Sequence, residues 1–225
     1  MQVNTLILGA GAAGLMCAAH AGPNTLVIDH AKKPGEKIRI SGGGRCNFTN
    51  LYCGHENFVG ANPHFHKSAL ARYDQYDFID LISRHGIAYH EKTLGQLFCD
   101  GSAKQIVAML RDEMARAGAE LRLETSLTDL AKVEGGFRAT LETAGKRTVI
   151  TAQNVVVASG GKSIPKMGAT GLGYDIARQF DHALVEPRAG LVPLTFPEGR
   201  FTPLAGVALP TRVACNGTSF DEATL

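Results

Sequence analysis

Residues 3–30, VNTLILGAGAAGLMCAAHAGPNTLVIDH, leave few folds open to this chain. Val3, Leu6, Ile7 and Leu8 form a short apolar run suited to a strand buried on both faces, as parallel sheets require. Gly9, Gly11 and Gly14 follow at G-x-G-x-x-G spacing. Gly9 permits a tight turn, Gly11 lets the backbone approach a diphosphate, and Gly14 lets the next helix pack close to the strand. That helix, from about Ala12 to Ala21, aims its positive dipole end and the free N–H groups of Ala12 and Ala13 at the diphosphate. Gly22 and Pro23 stop it. Thr25, Leu26, Val27 and Ile28 make a second strand. Asp29, 20 residues past Gly9, is placed to accept hydrogen bonds from adenosine ribose hydroxyls. Close packing of a helix on a sheet would by itself also select such glycines; strand, helix and terminal acid together favour the ADP half of a dinucleotide. Only 15 residues run from Gly14 to Asp29, so the helix should be about a turn shorter than in many such units.

The 225 residues allow one large domain or two modest ones. With 23 basic and 21 acidic side chains the net charge is +2, a field too weak to point to nucleic acid or an anionic membrane, so a small-molecule substrate is the expected partner. No apolar run reaches the roughly 18 residues of a membrane span and no signal-peptide pattern opens the chain, so a cytoplasmic protein without membrane association is expected. Five cysteines, Cys17, Cys46, Cys53, Cys99 and Cys215, include no C-x-x-C and no zinc spacing. Free thiols, no redox disulfide and no metal site follow. Nothing in the sequence fixes an oligomeric state.

A second glycine-rich segment, GEKIRISGGGRCNFTN, follows the second strand. Gly42, Gly43 and Gly44 carry no side chains and are entropically costly to order, which suits a place where a flat ligand lies on the backbone. Lys37 and Arg45 offer cations, and Ser41, Cys46 and Asn47 offer small polar contacts to phosphate or ring heteroatoms. The competing reading is a flexible surface loop. Farther on, Asn154 to Ala158 (NVVVA) reads as another fully buried strand, ending in Ser159, Gly160 and Gly161 at the sheet edge where ligands bind. GATGLGYDIARQF then supplies Gly168, Thr170, Gly171 and Gly173 before a helix; a plain turn is the alternative there.

LILGAGAAG, SGGGRCNFTN and VVVASGGKSIPKMGATGLGYDIA, in that order, resemble the BaiN-like (YhiN-like) flavoproteins, and the likeness runs from Met1 to about Pro210. It implies an α/β fold: a Rossmann-like FAD/NAD(P)-binding domain of the glutathione-reductase type, three-layer ββα with a β-meander, interrupted by an inserted β-rich domain. It also implies FAD-dependent oxidoreductase activity, with NAD(P)H as a candidate reductant. Some members of the family reduce a carbon–carbon double bond of steroid-like substrates. The expected division is an FAD-binding domain over 1–190 and the beginning of the inserted domain over 191–225. The cofactor contacts implied are Gly9, Gly11, Ala12, Ala13, Gly14, Asp29, Lys37, Ser41 to Asn47, Ala158 to Gly161, Thr170 and Gly171, with Leu127 meeting adenine through its backbone.

Between these motifs, Leu70, Tyr73, Phe78, Leu81 and Ile82 mark one helical stripe from about Lys67 to Arg84, closed by Gly86. A second helix starts at the cap Ser102 and stops at Gly118. Ala119 to Leu123 reads as a parallel strand, and Leu127 to Ile150 as a meander turning at Gly135-Gly136 and Ala144-Gly145. His64-x-His66 reads as a pair of solvated turn residues, and Cys46 as a small buried residue in preference to a reactive thiol. Gly95 to Cys99 (GQLFC) lacks the arginine that relatives commonly carry there, and Asp181 stands where a helix-ending glycine is usual. The segment from Leu191 to Leu225 reads as first strands without a completed hairpin, and the expected flavin-closing motif is not reached, so an N-terminal portion of a longer protein is expected. No catalytic acid or base is named. A non-catalytic dinucleotide-binding module, or an inactive fragment of such an enzyme, is the alternative reading.

Overall fold

The computed structural model describes residues 1–164, 170–190, 199–204, 207 and 209–224. Gly168 and most of the 191–208 stretch assigned to the first inserted strands lie outside them. The chain divides into two compact units, Met1–Ala183 and Leu184–Leu225.

The first unit is built on a six-stranded sheet ordered β6-β2-β1-β9-β8-β7. β1 (Gln2–Leu8), α1 (Ala12–His20) and β2 (Thr25–Ile28) form the opening parallel unit, followed by the short α2 (Glu36–Ile40). β3 (Asn47–Asn50) belongs to a separate antiparallel sheet with β4 (Tyr89–Glu91) and β5 (Gln96–Cys99), ordered β3-β5-β4. Between β3 and β4 lie α3 (Lys67–Leu70) and α4 (Gln75–Arg84). α5 (Ala103–Arg116) leads to β6 (Glu120–Arg122), which pairs parallel with β2. β7 (Thr125–Val133), β8 (Gly136–Thr143) and β9 (Lys146–Val157) are the meander, and α6 (Leu172–Gln179) follows.

Both faces of the parallel strands are covered, which is why their sequences are near-continuous apolar runs. Ile7 and Val27 point into a cluster with Leu15 and Ala18 of α1 and with Ile106, Val107, Met109 and Leu110 of α5. Their neighbours Leu6, Leu8, Leu26 and Ile28 point the other way. There the meander curls over the sheet and supplies Leu130, Ala139, Leu141 and Ile150, with Ile176 of α6 at the margin. The Rossmann-like α/β fold with a meander is therefore as expected.

Three expectations need correction. The 67–84 stripe is two helices, because Asp74 caps the second: its Oδ1 accepts the N–H groups of Tyr76 at 2.8 Å and Asp77 at 3.0 Å, and Asp77 Oδ2 accepts the Asp74 N–H at 2.9 Å. NVVVA is not a separate, fully buried strand. Asn154 to Val157 are the last part of β9, which pairs antiparallel with β8 as far as Ala152 and parallel with β1 from Thr151 to Val157. Beyond Ala152 the β8 side has ended, and Val157 is 42% exposed. Finally, in the second unit β10 (Leu209–Cys215) and β11 (Thr218–Thr224) do complete a hairpin, in register from Leu209↔Thr224 to Cys215↔Thr218. Its turn is Asn216-Gly217, both at positive φ (49° and 80°), the signature of a tight two-residue hairpin turn. Asp181 adopts the left-handed φ of 57° where glycine was noted as usual, a conformation that aspartate tolerates better than most residues.

Leu6 is fully buried between the β-strands and the meander. Leu6→Ala is expected to lower unfolding free energy by about 2–5 kcal/mol, read as a reduced urea midpoint with an unchanged denaturant slope.

Candidate functional site: a dinucleotide cleft

β1 and β2 run parallel with Leu8 opposite Ile28, so the turn after β1 and the residue after β2 emerge side by side at the C-terminal edge of the sheet. Backbone bonds lock them together. The Gly9 N–H donates to Ile28 O at 2.8 Å, and the Gly35 N–H to Ala10 O at 2.8 Å. The Asp29 carboxylate joins the two: Oδ2 accepts the Ala10 N–H at 2.7 Å and Oδ1 the Ala31 N–H at 2.9 Å. Its side chain remains 16% exposed, with His30 Nδ1 3.4 Å from Oδ1. Each oxygen keeps a lone pair for a further donor.

The three fingerprint glycines have different reasons to be glycine. A Cβ on Gly9, which lies at φ +112°, would sit 2.5 Å from Ala158 O; one on Gly14 would sit 1.8 Å from Gly9 O. Both are required by the packing of turn, helix and β9. Gly11 is different: its φ of −82° suits any residue, and a Cβ there would meet nothing within 4 Å. No protein atom accounts for its missing side chain. The space in front of it is bordered by the first turn of α1, whose N–H groups lack intrahelical partners and receive no side-chain cap from Gly11. A diphosphate fits this cradle by charge and by space.

Two hollows meet at this point. One, of about 240 Å³, is lined by Gly9, Gly11, Ala12 and Ala13, by Gly35 and Lys37, and by Ala158, Ser159 and Gly160. The other, of about 360 Å³, is lined by Asp29, Thr125, Ser126, Leu127, Thr170 and Gly171. Gly9, Asp29, His30 and Ser159 border both. The result is an elongated cleft with an acid at its waist, the shape that a dinucleotide with its ribose on Asp29 requires. Leu127 lies on β7, the edge strand of the sheet, where a β-bulge between Leu127 and Asp129 shifts the register. A larger hollow of about 480 Å³ between the meander and α6 is lined mainly by Leu130, Phe137, Val155, Ile176 and Phe180. It has neither a glycine turn nor a carboxylate and is not the same kind of site.

Lys37 borders the smaller hollow of the cleft. Its Nζ donates to Ser163 Oγ at 2.8 Å and Gly161 O at 3.4 Å, tying α2 to the loop after β9. The Ser41–Asn47 run borders neither hollow. Its glycines are conformational in part: Gly42, Gly43 and Gly44 lie at φ +57°, +65° and +86°. A Cβ on Gly42 would sit 2.7 Å from the Phe98 ring, whereas one on Gly43 meets only open space. Arg45 and Asn47 are exposed beside it. Cys46 is the small buried residue that the sequence suggested. It is 5% exposed and turned into the core with Ile38 and Cys99, and burial pushes its thiol up. Cys99 is pushed from the ordinary 9.0 to about 11 by burial first, then by Cys46 and Asp100. All five cysteines are free, and among the described residues no group of three or more His, Cys, Asp or Glu side chains could hold a metal.

Sequence reasoning missed Gly35, His30, Thr125 and Ser126 as cleft residues. Gly35 lies at φ +68°, and a Cβ there would sit 2.7 Å from Val107 Cγ2, a partner far along the chain that the sequence does not reveal. His30 and Ser126 could have been found only by adjacency to Asp29 and Leu127. No described helix is long and apolar enough to cross a membrane.

The HI0933-like protein Rossmann domain family matches residues 3–216. A ribosomal RNA dihydrouridine synthase of Escherichia coli is 50% identical over 98% of this chain and 56% of its own length. The protein of that name in Haemophilus influenzae is 46% identical over 96% of the chain and 55% of its own length. A 3-dehydro-bile acid delta(4,6)-reductase of Clostridium scindens is 26% identical over 92% of the chain and 51% of its own length. The chain thus spans about half the length of the curated relatives it matches. Among solved structures, an open-conformation flavocytochrome c3 fumarate reductase superposes with a TM-score of 0.54 at 21% identity, covering 79% of this chain and 40% of that one. A 3-ketosteroid-delta4-(5alpha)-dehydrogenase of Rhodococcus jostii also gives 0.54, at 16% identity, covering 72% and 46%. The fold is the Rossmann-like fold of flavoproteins.

The two kinds of glycine separate in a binding assay. Gly11→Ala is expected to hold stability within about 1 kcal/mol while weakening ADP or FAD binding at least tenfold by calorimetry. Gly14→Ala is expected to destabilise by about 3 kcal/mol through overpacking. For the thiols, the raised value of Cys99 means that its burial stabilises the fold below pH 9 and that this contribution is lost as pH rises towards 11. The urea midpoint should fall over that window, less steeply in Cys99→Ala.

Proposed function

Because the chain belongs to the HI0933-like protein Rossmann domain family, we propose that it is the cofactor-holding part of an FAD-dependent reductase. Its substrate is a uracil base of ribosomal RNA, which it converts to dihydrouridine. The observation that carries the cofactor half of this reading is the unfilled space at Gly11 between the α1 N-terminus and Asp29. The 50% identity to a protein named for ribosomal RNA dihydrouridine synthesis supports the substrate half.

When bound and first reduced by a nicotinamide dinucleotide, the flavin would supply two electrons as a hydride, and saturating a uracil ring needs that hydride together with one proton. The residues of this chain bind and orient. Asp29 receives the adenosine ribose hydroxyls, held in place for it by the Ala10 and Ala31 amides. The first-turn amides of α1 receive the diphosphate. The exposed Lys37 ammonium, at the mouth between α2 and Gly161, offers a positive charge to the electron-rich end of the cofactor. Gly160, where a Cβ would meet Lys37 Nζ at 3.7 Å in ordinary contact, carries no side chain on that side, which suits a flat ring. A nicotinamide dinucleotide is the proposed source of electrons.

This reading replaces the small-substrate expectation drawn from the net charge of +2. Proteins that act on a base in a loop recognise it by local stacking and edge contacts, and need no strong overall field. A second reading, reduction of a steroid-like enone, is favoured by the 26% relative named as a bile-acid reductase. Both reactions saturate a carbon–carbon double bond conjugated to a carbonyl.

The test incubates the FAD-loaded protein and NADPH with ribosomal RNA from cells lacking the corresponding gene. Gain of two hydrogens on a uridine, seen by mass spectrometry of the nucleosides, is the expected result. NADPH consumption with a steroid enone and none with RNA would move the assignment to the second reading. A chain that holds FAD but reduces neither is a non-catalytic binding module or an inactive part of such an enzyme.

A further inference from the structure

The segment between β3 and α4 has not been used by the cofactor cleft, and its composition is unusual for a solvated loop. Over residues 51–72 it carries three aromatic side chains, Tyr52, Phe58 and Phe65, with His55, His64, His66, Lys67 and Arg72, against a single carboxylate, Glu56. That carboxylate is already engaged by His55, at 3.3 Å. The aromatics are not in the core. Phe65 is 84% exposed, Tyr52 70% and Phe58 42%, and Val59 beside them is 99% exposed.

Exposed as it is, the segment is ordered by polar contacts of its own. Phe58 and His66 stack, with ring centroids 5.0 Å apart and planes inclined at 27°. The far side of His66 is pinned, its Nε2 2.7 Å from His55 O. The His64 N–H donates to Asn62 Oδ1 at 2.9 Å, shaping the Asn62–His66 turn. At its start, Leu51 O accepts from Gln75 Nε2 at 3.2 Å and Tyr76 Oη at 3.5 Å, which anchors the segment to α4. Tyr52 packs over Gly95, where a Cβ would come within 2.6 Å of its ring. The chain enters the segment from β3, directly after the Gly42–Gly44 turn.

Flat aromatic and histidine rings held open to solvent and interleaved with cations are what unpaired nucleotides need: faces on which bases stack, and charge for the backbone. We propose that residues 51–72 form the surface that grips single-stranded RNA, stacking bases on Phe58–His66 and Phe65 while Lys67 and Arg72 meet phosphates. The proposal rests on the RNA reading above and deepens it. Along the chain the surface follows the Gly42–Gly44 turn and β3.

The FAD-loaded protein is irradiated with a uridine-containing RNA oligonucleotide of unpaired sequence, digested, and its crosslinked peptides mapped. Crosslinks are expected within 51–72. Phe58→Ala with Phe65→Ala should weaken binding of the oligonucleotide at least tenfold at unchanged FAD content. Lys67→Ala with Arg72→Ala, both exposed, should reduce the salt slope by about 1.4, which keeps the test sound if the aromatic variant folds poorly. RNA bound with crosslinks only elsewhere, and unaltered affinity in both variants, overturns the surface and leaves the RNA reading standing. No RNA binding by the unaltered protein overturns both. Loss of self-association in the aromatic variant, with RNA affinity intact, assigns the patch to a second copy and overturns the proposal.

Discussion

The contact on which the molecule depends is that of the Gly9 turn with the end of β9. Gly9 lies so close to Ala158 that a Cβ would sit 2.5 Å from its carbonyl oxygen, and Gly14 lies closer still to Gly9. This approach draws α1 down onto the sheet and brings three chain segments to one edge: the fingerprint turn, Asp29 after β2, and Ser159–Gly160 after β9. Loosening it would separate these segments and open the core cluster of Ile7, Leu15 and Val27 in the same event. Stability and site geometry are therefore set by one set of backbone contacts.

The Asp29 carboxylate shows how binding is prepared in advance. Two backbone N–H groups already hold it at hydrogen-bonding distance, so a ribose arriving there meets a group that has no rotamer freedom left to lose. The cleft is preorganised on its Asp29 side by backbone hydrogen bonds. On the other side it is held by fewer and more exposed contacts, chiefly those of Lys37 with Ser163 and Gly161.

Much of this was legible in the sequence, because the requirements were local. G-x-G-x-x-G followed by an acid encodes turn, helix and waist; Ser102 and Gly118 encode the ends of α5; Gly135-Gly136 and Ala144-Gly145 encode the meander turns. What was misread depended on partners far along the chain or on competing local signals. Apolar periodicity suggested one helix over 67–84, and a single capping residue, Asp74, divides it. The valines of β9 looked fully buried because their composition is that of an inner strand, while their exposure is decided by where β8 stops. The run of glycines at 42–44 suggested one purpose, but only the three-dimensional neighbours separate Gly42, pressed against Phe98, from Gly43, which is open.

The central claim is that the Gly11–Asp29 cleft holds FAD, and backbone amide hydrogen exchange with and without FAD tests it most directly. FAD should slow exchange in residues 9–14, 29–37, 125–127 and 158–161 together, leaving the hollow lined by Phe137 and Phe180 unchanged. Protection confined to that apolar hollow, or no protection anywhere at FAD concentrations that saturate binding, would contradict the account.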